Sequence, residues 1–444
     1  MIYVHVPFCG SFCTYCDFYS EIACRGLDYE GYTEEICREI RGRVSEIEST
    51  LDVNTLYIGG GTPSVLPPMC LERIVKAVEE VTGGGFSEFT VEVNPEDIVE
   101  RGPEYVRNLK ELGVNRVSMG VQSLDDTILR WMNRRHDAAR AKEAYGILRR
   151  EGIHNVSVDI IFGISHLSEE ALLNTVREIV SWGPEHISAY QLSIEDGSAL
   201  AEMIETGRYT EASDEQCFKQ YKLICRELKA AGYGHYEISN WARPGFRAVH
   251  NSAYWHRHPY VGVGPGAHSL LIRSGAPASG SWPEGTRPSQ AELGPLPLEP
   301  RAASPFEPIC RASGAPEQYS QVLCDDSVED RNKCRQARAE VCETVVEPRR
   351  HPLERSVSGM PLGAVAKQRG TDSVSGLLSK QSRKWNSQIL TGWTAESEML
   401  SEEEIREEEI MLGLRTAEGW NGRCLSEDEW FVSDDIISDI LAQS

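Results

Sequence analysis

Residues 1–20 read Met1-Ile-Tyr-Val-His-Val-Pro-Phe-Cys-Gly-Ser-Phe-Cys-Thr-Tyr-Cys-Asp-Phe-Tyr-Ser20 and contain the most informative pattern of the chain. Its first six residues are mostly β-branched or aromatic, which predicts a buried strand that Pro7 ends. Cys9, Cys13 and Cys16 follow at a spacing of C-x3-C-x2-C. Three soft thiolates this close together suit iron–sulfur or zinc, and a four-iron cluster with three ligands would keep one iron open. The sequence therefore predicts an open metal centre directly after the first strand; the alternative is three incidental thiols.

The composition argues against several classes of protein. The chain of 444 residues has a net charge of −23, which disfavours a nucleic-acid partner. It has no run of eighteen apolar residues, so stable membrane insertion is not expected. The first strand leaves no room for a leader peptide, and 13 cysteines without a leader favour reduced thiols over disulfides. We therefore expect a cytoplasmic protein.

Strands and helices alternate through the first half of the chain. After the first strand, runs rich in β-branched residues predict five more, at 53–58, 89–93, 116–121, 156–162 and 186–192. Amphipathic spacing predicts helices between them, including 29–47 and 138–150. This alternation predicts an α/β fold with a parallel sheet, and six such units suggest a (β/α)6 partial TIM barrel with functional residues in the loops after the strands.

The composition changes at about residue 274. Residues 274–382 are rich in Pro, Gly, Ser, Ala and Arg, which predicts a disordered, low-complexity insertion or an artefact of the gene sequence. We therefore divide the chain into a barrel (1–240), a glycine-rich segment (241–273), the insertion (274–382) and a C-terminal module (383–444).

The cysteine motif resembles the signature of the radical S-adenosylmethionine (SAM) enzymes. Its flanking residues narrow the likeness to the branch of oxygen-independent coproporphyrinogen III oxidases and HemW-type haem chaperones; they are Tyr3, His5, Pro7, Phe8, Tyr15, Asp17 and Phe18. The resemblance implies a [4Fe–4S] cluster on the three cysteines, whose open iron binds SAM and passes it one electron from an external electron donor. It also implies the radical SAM partial barrel. Compared with the small C-terminal domain of that family, the C-terminal module of this chain is expected to be truncated.

Residues from several strand ends are candidates to hold SAM. Glycines 59–61 follow the second strand, where they would let the backbone approach a ligand. By resemblance, Gly61 and Thr62 contact the SAM amino group and Gln122 contacts the ribose. The resemblance also places Tyr3 and Tyr15 among the cofactor-binding residues.

Two carboxylates interrupt strands that are otherwise apolar. Glu92 and Asp159 would be buried, and a buried carboxylate requires a partner or a ligand. Arg134 could pair with Asp159 or hold the SAM carboxylate as a fork. The alternative is an internal Asp–Arg bridge without a ligand.

Two features separate the oxidases of this branch from the chaperones. The oxidases carry a fourth cysteine two residues after the third, where this chain has Phe18, so oxidase activity is disfavoured. The stretch His250-Asn-Ser-Ala-Tyr-Trp255 is similar to the H-N-x-x-Y-W motif of HemW-type chaperones. Because imidazole is a natural haem ligand, His250 is predicted to bind haem iron, with Tyr254 and Trp255 against the porphyrin. The alternative is a histidine that is hydrogen-bonded within the barrel.

The resulting interpretation is a radical SAM-like haem chaperone that binds a [4Fe–4S] cluster, SAM and haem. Its expected task is to deliver haem to a client protein. The alternative is an oxygen-independent coproporphyrinogen III oxidase, which decarboxylates its substrate by radical chemistry.

Overall fold

The structure, a computed structural model, describes residues 1–16, 18–23, 27–195, 198–271, 375–380 and 398–441. The chain divides into two units, one formed by 1–296 with 356–444 and the other by 297–355, and every described residue belongs to the first. The predicted insertion therefore lies largely outside the described residues.

The described strands, in chain order, are β1 (Ile2–Val6), β2 (Phe8–Cys9), β3 (Glu21–Ile22), β4 (Thr55–Gly60), β5 (Glu88–Val93), β6 (Arg116–Gln122), β7 (Val156–Phe162), β8 (His186–Gln191), β9 (Gly234–Glu237), β10 (Asn240–Ala242), β11 (Val261–Val263), β12 (His268–Leu270), β13 (Ser375–Lys380) and β14 (Glu398–Leu400). The described helices are α1 (Tyr29–Gly42), α2 (Val44–Glu48), α3 (Pro68–Thr82), α4 (Pro95–Glu111), α5 (Asp126–Trp131), α6 (Ala138–Arg150), α7 (Glu169–Trp182), α8 (Ala199–Glu205), α9 (Asp214–Ala230), α10 (Val249–Trp255), α11 (Glu402–Leu414), α12 (Glu427–Phe431) and α13 (Ser433–Leu441), with a 3-10 turn at Pro63–Val65.

Nine of the described strands form one sheet in the order β11-β1-β4-β5-β6-β7-β8-β10-β9. From β11 to β8 all neighbours are parallel, whereas β10 and β9 add an antiparallel edge. The six predicted strands and the α/β fold class are confirmed. The predicted boundary at residue 240 falls inside β10, and β11 belongs to the same sheet, so the segment after 240 continues the barrel sheet.

Short polar side chains cap four of the helices around the sheet. Asp28, Asp137, Ser168 and Ser213 accept hydrogen bonds from backbone N–H groups in the first turns of α1, α6, α7 and α9. These contacts satisfy donors that have no partner within the helix. These four helices therefore start at fixed points.

The helix predicted at 29–47 is divided at Arg43 into α1 and α2. The Arg43 guanidinium donates to the Gly262 carbonyl at 2.7 Å and to Ser269 Oγ at 3.1 Å. Arg43 thereby joins the helices to the β11–β12 region. These tertiary contacts explain why the helix is interrupted at this residue.

The main core lies between the parallel strands and the helices around them. All five residues of β1 are buried, as predicted for the first strand. Ile36 of α1 and Ile74 of α3 are also fully buried in this core. Burial of this kind is the dominant stabilising contribution to the fold.

The C-terminal module contacts the antiparallel edge of the sheet. Ile238 N donates to the Arg415 carbonyl and Ala417 N donates to the Tyr236 carbonyl, each at 3.0 Å. The ring of Phe431 in α12 lies 5.1 Å from that of Phe218 in α9. Residues 415–417 therefore run along β9, and α12 packs on α9.

β13 lies within the segment predicted to be an insertion and pairs with β12 and β14. The rest of residues 274–382 is outside the described part of the chain. None of the helices described here is both long enough and apolar enough to cross a membrane.

Candidate cofactor-binding site

A cavity lies at the carboxyl ends of the parallel strands. It encloses about 1420 Å³ of space between atoms, including its open mouth. Eleven of the predicted site residues line it: Tyr3, Cys9, Cys13, Tyr15, Cys16, Gly61, Thr62, Glu92, Gln122, Arg134 and Asp159. All the site residues predicted from the sequence except His250 therefore lie together on the lining of this cavity.

The cysteine loop, residues 9–16, is held by the end of α5. Thr14 N donates to the Met132 carbonyl at 3.1 Å, and Thr14 Oγ1 donates to the Trp131 carbonyl at 2.8 Å. Asn133 Nδ2 donates to the Phe12 carbonyl at 2.7 Å. These residues were not singled out from the sequence, because nothing in it shows that they meet a loop more than a hundred positions earlier.

His5 bonds to the backbone shortly after the cysteine loop. Burial lowers the pKa of His5 to about 4, so the ring is neutral at physiological pH. Its Nε2–H donates to the Tyr19 carbonyl at 2.9 Å, and its Nδ1 accepts from the Tyr3 hydroxyl at 3.0 Å. Tyr3 thus lines the cavity while orienting the histidine that anchors the loop.

Three polar side chains, which we call the thiol network, connect two of the cysteines; they are Thr62, Asn94 and Arg134. Thr62 Oγ1 donates to Cys9 Sγ at 3.5 Å and accepts from Asn94 Nδ2 at 3.0 Å. Arg134 donates to Asn94 Oδ1 at 2.6 Å and to Cys13 Sγ at 3.4 Å. The sequence analysis missed Asn94, although its position directly after β5 places it at the edge where such loops meet.

Of the two roles considered for Arg134, the pairing with Asp159 is not the observed one, and the contact with the SAM carboxylate stays a prediction. Besides the thiol network, Arg134 donates to the Gly120 carbonyl at 2.7 Å. Asp159 accepts instead from Ser118 Oγ at 3.1 Å and from Ser157 Oγ at 3.2 Å. Burial raises the pKa of Asp159, and a hydrogen bond from Ser188, the positive charge of Arg116 and the hydroxyls of Ser118 and Ser157 oppose that shift. The buried carboxylate is therefore stabilised by serine donors and by the charge of Arg116 at the start of β6.

Glu92 takes its partners from β4. Its Oε1 accepts from the Tyr57 hydroxyl at 2.6 Å, and its Oε2 accepts from Gly60 N at 3.0 Å. Burial raises the pKa of Glu92 to about 7. The cavity therefore contains a carboxyl group that can gain or lose a proton near neutral pH.

Gly61 is needed for packing against the protein's own backbone. A Cβ atom there would lie 2.9 Å from backbone atoms of Val6, Pro7 and Phe8, which lead directly into Cys9. This packing role stands beside the contact with the SAM amino group, which stays a prediction. A side chain at position 61 would displace the start of the cysteine loop.

Gln122 has features of a ligand contact. Its φ of 65° lies in the left-handed region, which costs a non-glycine residue on the order of 1–3 kcal/mol. Its Oε1 is buried and has no hydrogen-bond partner among the described residues. Arg134 Nε, also on the cavity lining, is similarly unsatisfied within the described part of the chain. Three neighbouring thiols together with unsatisfied polar atoms fit a metal cluster with an adjoining polar ligand.

Comparison with known proteins agrees with this geometry. The model of the Radical SAM superfamily matches residues 3–179. The haem chaperone HemW of Lactococcus lactis subsp. lactis (strain IL1403) is 33% identical over 270 residues, which cover 61% of this chain and 69% of that protein. HemW of Mycobacterium tuberculosis (strain CDC 1551 / Oshkosh) is 34% identical over 273 residues, with the same coverage of both chains.

The chain belongs to the HemW-type radical SAM family. Among solved structures, coproporphyrinogen III oxidase (HemN) from Escherichia coli matches this HemW-type chain with a TM-score of 0.51 and 22% identity, covering 61% of this chain and 64% of the other. That likeness confirms the radical SAM fold. The family implies a [4Fe–4S] cluster and SAM, and the residues that line the cavity fit both.

In this HemW-type chain, His250 lies outside the cavity lining and is 0% exposed. Its Nδ1 is hydrogen-bonded to Thr55 Oγ1 at 2.8 Å and its Nε2 to the Tyr254 hydroxyl at 3.0 Å. Both ring nitrogens are therefore occupied, and the geometry argues against His250 as a haem ligand. The alternative considered from the sequence, a histidine hydrogen-bonded within the barrel, describes the observed position.

The two aromatic residues of the same motif are also buried. Tyr254 packs against Tyr260, with ring centroids 4.7 Å apart, and Trp255 is buried as well. Neither side chain offers an open face to a porphyrin. In contrast, Phe18, which stands where the oxidases have a fourth cysteine, lines the cavity.

Proposed function

We propose that this chain is a haem chaperone that holds a [4Fe–4S] cluster on Cys9, Cys13 and Cys16, binds SAM in the adjoining cavity, and delivers haem to a client protein. Support for the haem-related task comes from the relatives named HemW. Support for the cofactor site comes from the three cysteines and the SAM candidates on one cavity lining. The position of all these residues on one cavity lining is the main observation that supports the proposal.

Each group on the cavity lining has a role that its contacts support. The three thiols would hold the cluster, which, when bound, supplies one electron to SAM. Arg134 donates an N–H to Cys13 Sγ at 3.4 Å and would place a positive charge beside a cluster bound there. Gln122 has an unsatisfied amide oxygen for a ligand hydroxyl, as expected of a ribose contact.

The alternative, a coproporphyrinogen III oxidase, gains support from the fold alone. The structural match to the oxidase is 22% identical, and many chemistries share one fold. Phe18 provides no ligand atom at the position where the oxidases carry their extra cysteine. The chaperone is therefore the better-supported function.

Two assays on one preparation separate these functions. Protein reconstituted anaerobically should hold about four iron and four sulfide per chain. It should bind haem with a distinct Soret band and transfer it to a haem-free acceptor protein faster than haem-loaded serum albumin does. With coproporphyrinogen III, SAM and a reductant, it should release no decarboxylated product.

Cys13→Ala should lose the cluster, while Cys217→Ala, which alters a buried thiol of α9 outside the cavity lining, should keep it. Measured turnover of coproporphyrinogen III would replace the chaperone with the oxidase. Absence of haem binding together with full cluster content would reject the haem-related task but retain the cofactor site.

A further inference from the structure

A second group of metal-ligating side chains lies where the C-terminal module meets the barrel. It consists of Cys225 on α9, His235 on β9 and Glu427 at the start of α12. One potential ligand atom from each residue lies within 4.8 Å of the others. None of the three residues lines the cofactor cavity, so this cluster is separate from the candidate SAM site.

The hydrogen bonding of His235 leaves one ring nitrogen suited to a metal ion. Its Nε2 lies 3.4 Å from the Ile238 carbonyl, to which only an N–H can donate. Nδ1 then carries the lone pair, the arrangement seen when a histidine binds a metal through one nitrogen and a carbonyl orients the other. The side chain is 5% exposed, and Nδ1 has no hydrogen-bond partner among the described residues.

Rigid packing holds this imidazole in place. The His235 ring stacks on Trp241, with centroids 3.9 Å apart and planes 11° apart. Trp430 of α12 meets it edge-on at 4.5 Å. A ring fixed on two sides cannot turn to find another partner for Nδ1.

The nearest charged group to Nδ1 makes an unfavourable contact unless a cation is present. Glu427 Oε1 lies 3.7 Å from Nδ1. Because Nε2 carries the proton, the Nδ1 lone pair faces this carboxylate oxygen, and Cys225 Sγ lies within 4.8 Å of both atoms. Two facing acceptor atoms beside a thiol favour a bound cation.

We propose that Cys225, His235 and Glu427 form a second metal site, selective for Zn²⁺ or a similar borderline divalent cation, that fastens the C-terminal module to the barrel. This inference goes beyond the proposed haem function. A sulfur, a nitrogen and an oxygen ligand are a combination that zinc accepts, and its tetrahedral preference leaves one position for water. Glu427, whose side chain is 31% exposed, places that position at the solvent edge.

The observed spacing requires a modest contraction. Zinc bonds of about 2.0–2.3 Å in a tetrahedron put neighbouring ligand atoms about 3.3–3.6 Å apart. The His235–Glu427 separation of 3.7 Å is already close to this value. The separations that involve Cys225 Sγ, at most 4.8 Å, must shorten by up to roughly 1 Å, to which rotation of the Cys225 and Glu427 side chains can contribute. Metal binding would then release the Cys225 proton.

The test uses full-length, cluster-loaded protein, so that Cys9, Cys13 and Cys16 are already occupied, and Zn²⁺ alone as the probe. The wild-type chain should bind about one zinc beyond the cluster iron. Zinc-edge X-ray absorption should show one sulfur at about 2.3 Å with nitrogen or oxygen at about 2.0 Å. Cys225→Ser, His235→Gln and Glu427→Gln should each weaken zinc binding at least about tenfold, since loss of even a ligand's hydrogen-bond partner does as much.

Cys217→Ser is the matched control, because it alters another buried thiol of α9 outside the triad, and it should bind zinc as the wild type does. Glu427→Gln guards against misfolding, since its side chain lies at the solvent edge and its far-ultraviolet circular dichroism should match the wild type. Equal zinc affinity in the wild type and this variant would overturn the proposal. Failure of the wild type to bind zinc, or absorption data without a sulfur ligand, would overturn it as well.

Discussion

At Gly61, the backbone before the cysteine loop leaves no space for even a methyl side chain. We expect Gly61→Ala to destabilise the protein by about 1–3 kcal/mol, the usual cost of overpacking, because its Cβ would press on the backbone before Cys9. Cluster content should fall as well, since the cysteine loop must move. Iron and sulfide analysis and urea unfolding would measure both effects.

Gly42→Ala provides the control for this substitution. Gly42 is the last residue of α1, and a Cβ there would meet no atom within 4 Å. Alanine at this position should preserve the cluster and leave stability unchanged or slightly higher. Normal cluster content and stability in Gly61→Ala would refute the packing argument.

His250→Ala should change stability and leave haem coordination intact. The substitution leaves Thr55 and Tyr254 without their partner, and each unsatisfied buried group costs about 1–3 kcal/mol. The Soret band of bound haem should keep its position, because both ring nitrogens are already used within the protein. Urea unfolding and haem titration of one preparation test the two statements together.

His154→Ala, at an exposed position before β7, should match the wild type in both measurements. A displaced Soret band in His250→Ala, combined with wild-type stability, would restore His250 as a haem ligand.

At the residue scale, the sequence predicts side chains whose spacing or type is itself the signal. The three cysteines and the glycines at 59–61 belong to that group. The partners of Asp159 could not be predicted, because a carboxylate on a buried strand requires donors but does not specify them. Serines on β6, β7 and β8 supply them beside the charge of Arg116, and nothing in the sequence shows which side chains of neighbouring strands face one another.

Among the strands and helices, those with a long regular pattern of apolar residues could be predicted from the sequence. The six parallel strands follow from β-branched runs whose burial is continuous. β11 was missed because a strand of three residues with a glycine at its centre and another directly after it has no period to detect. The break between α1 and α2 also could not be predicted, because it depends on contacts of Arg43 with residues more than two hundred positions away.

The loops after β4 and β5 and the segment after α5 act together through the thiol network, which leads to a redox prediction. Arg134→Gln should make the reduction potential of a bound cluster more negative, because a positive charge and an N–H donor beside Cys13 favour the reduced, more negative form. A potential titration followed by electron paramagnetic resonance would measure the shift. Arg140→Gln, on the exposed face of α6, should not change the potential. An unchanged potential in Arg134→Gln with full cluster content would exclude this role.

At the scale of the whole molecule, the composition of residues 274–382 predicts where a protease cuts first. Brief trypsin treatment should cleave within 274–374. The two pieces should then elute together from a sizing column, because α12 packs on α9 and residues 415–417 bond to β9. Denaturing electrophoresis should resolve them. Resistance across that span would reveal a folded domain, and separation of the pieces would show that these contacts are too weak to hold the module.

The position of residues 415–417 along β9 also bears on solubility. β9 is the outermost strand on its side of the sheet, and its outward backbone groups would otherwise present a template to any other strand. Residues 415–417 of the C-terminal module form hydrogen bonds with the backbone of residues 236–238 and so cover this edge. A variant truncated after residue 271 would therefore expose the unpaired edge of β9. We expect such folded barrels to self-associate through this edge into β-rich aggregates.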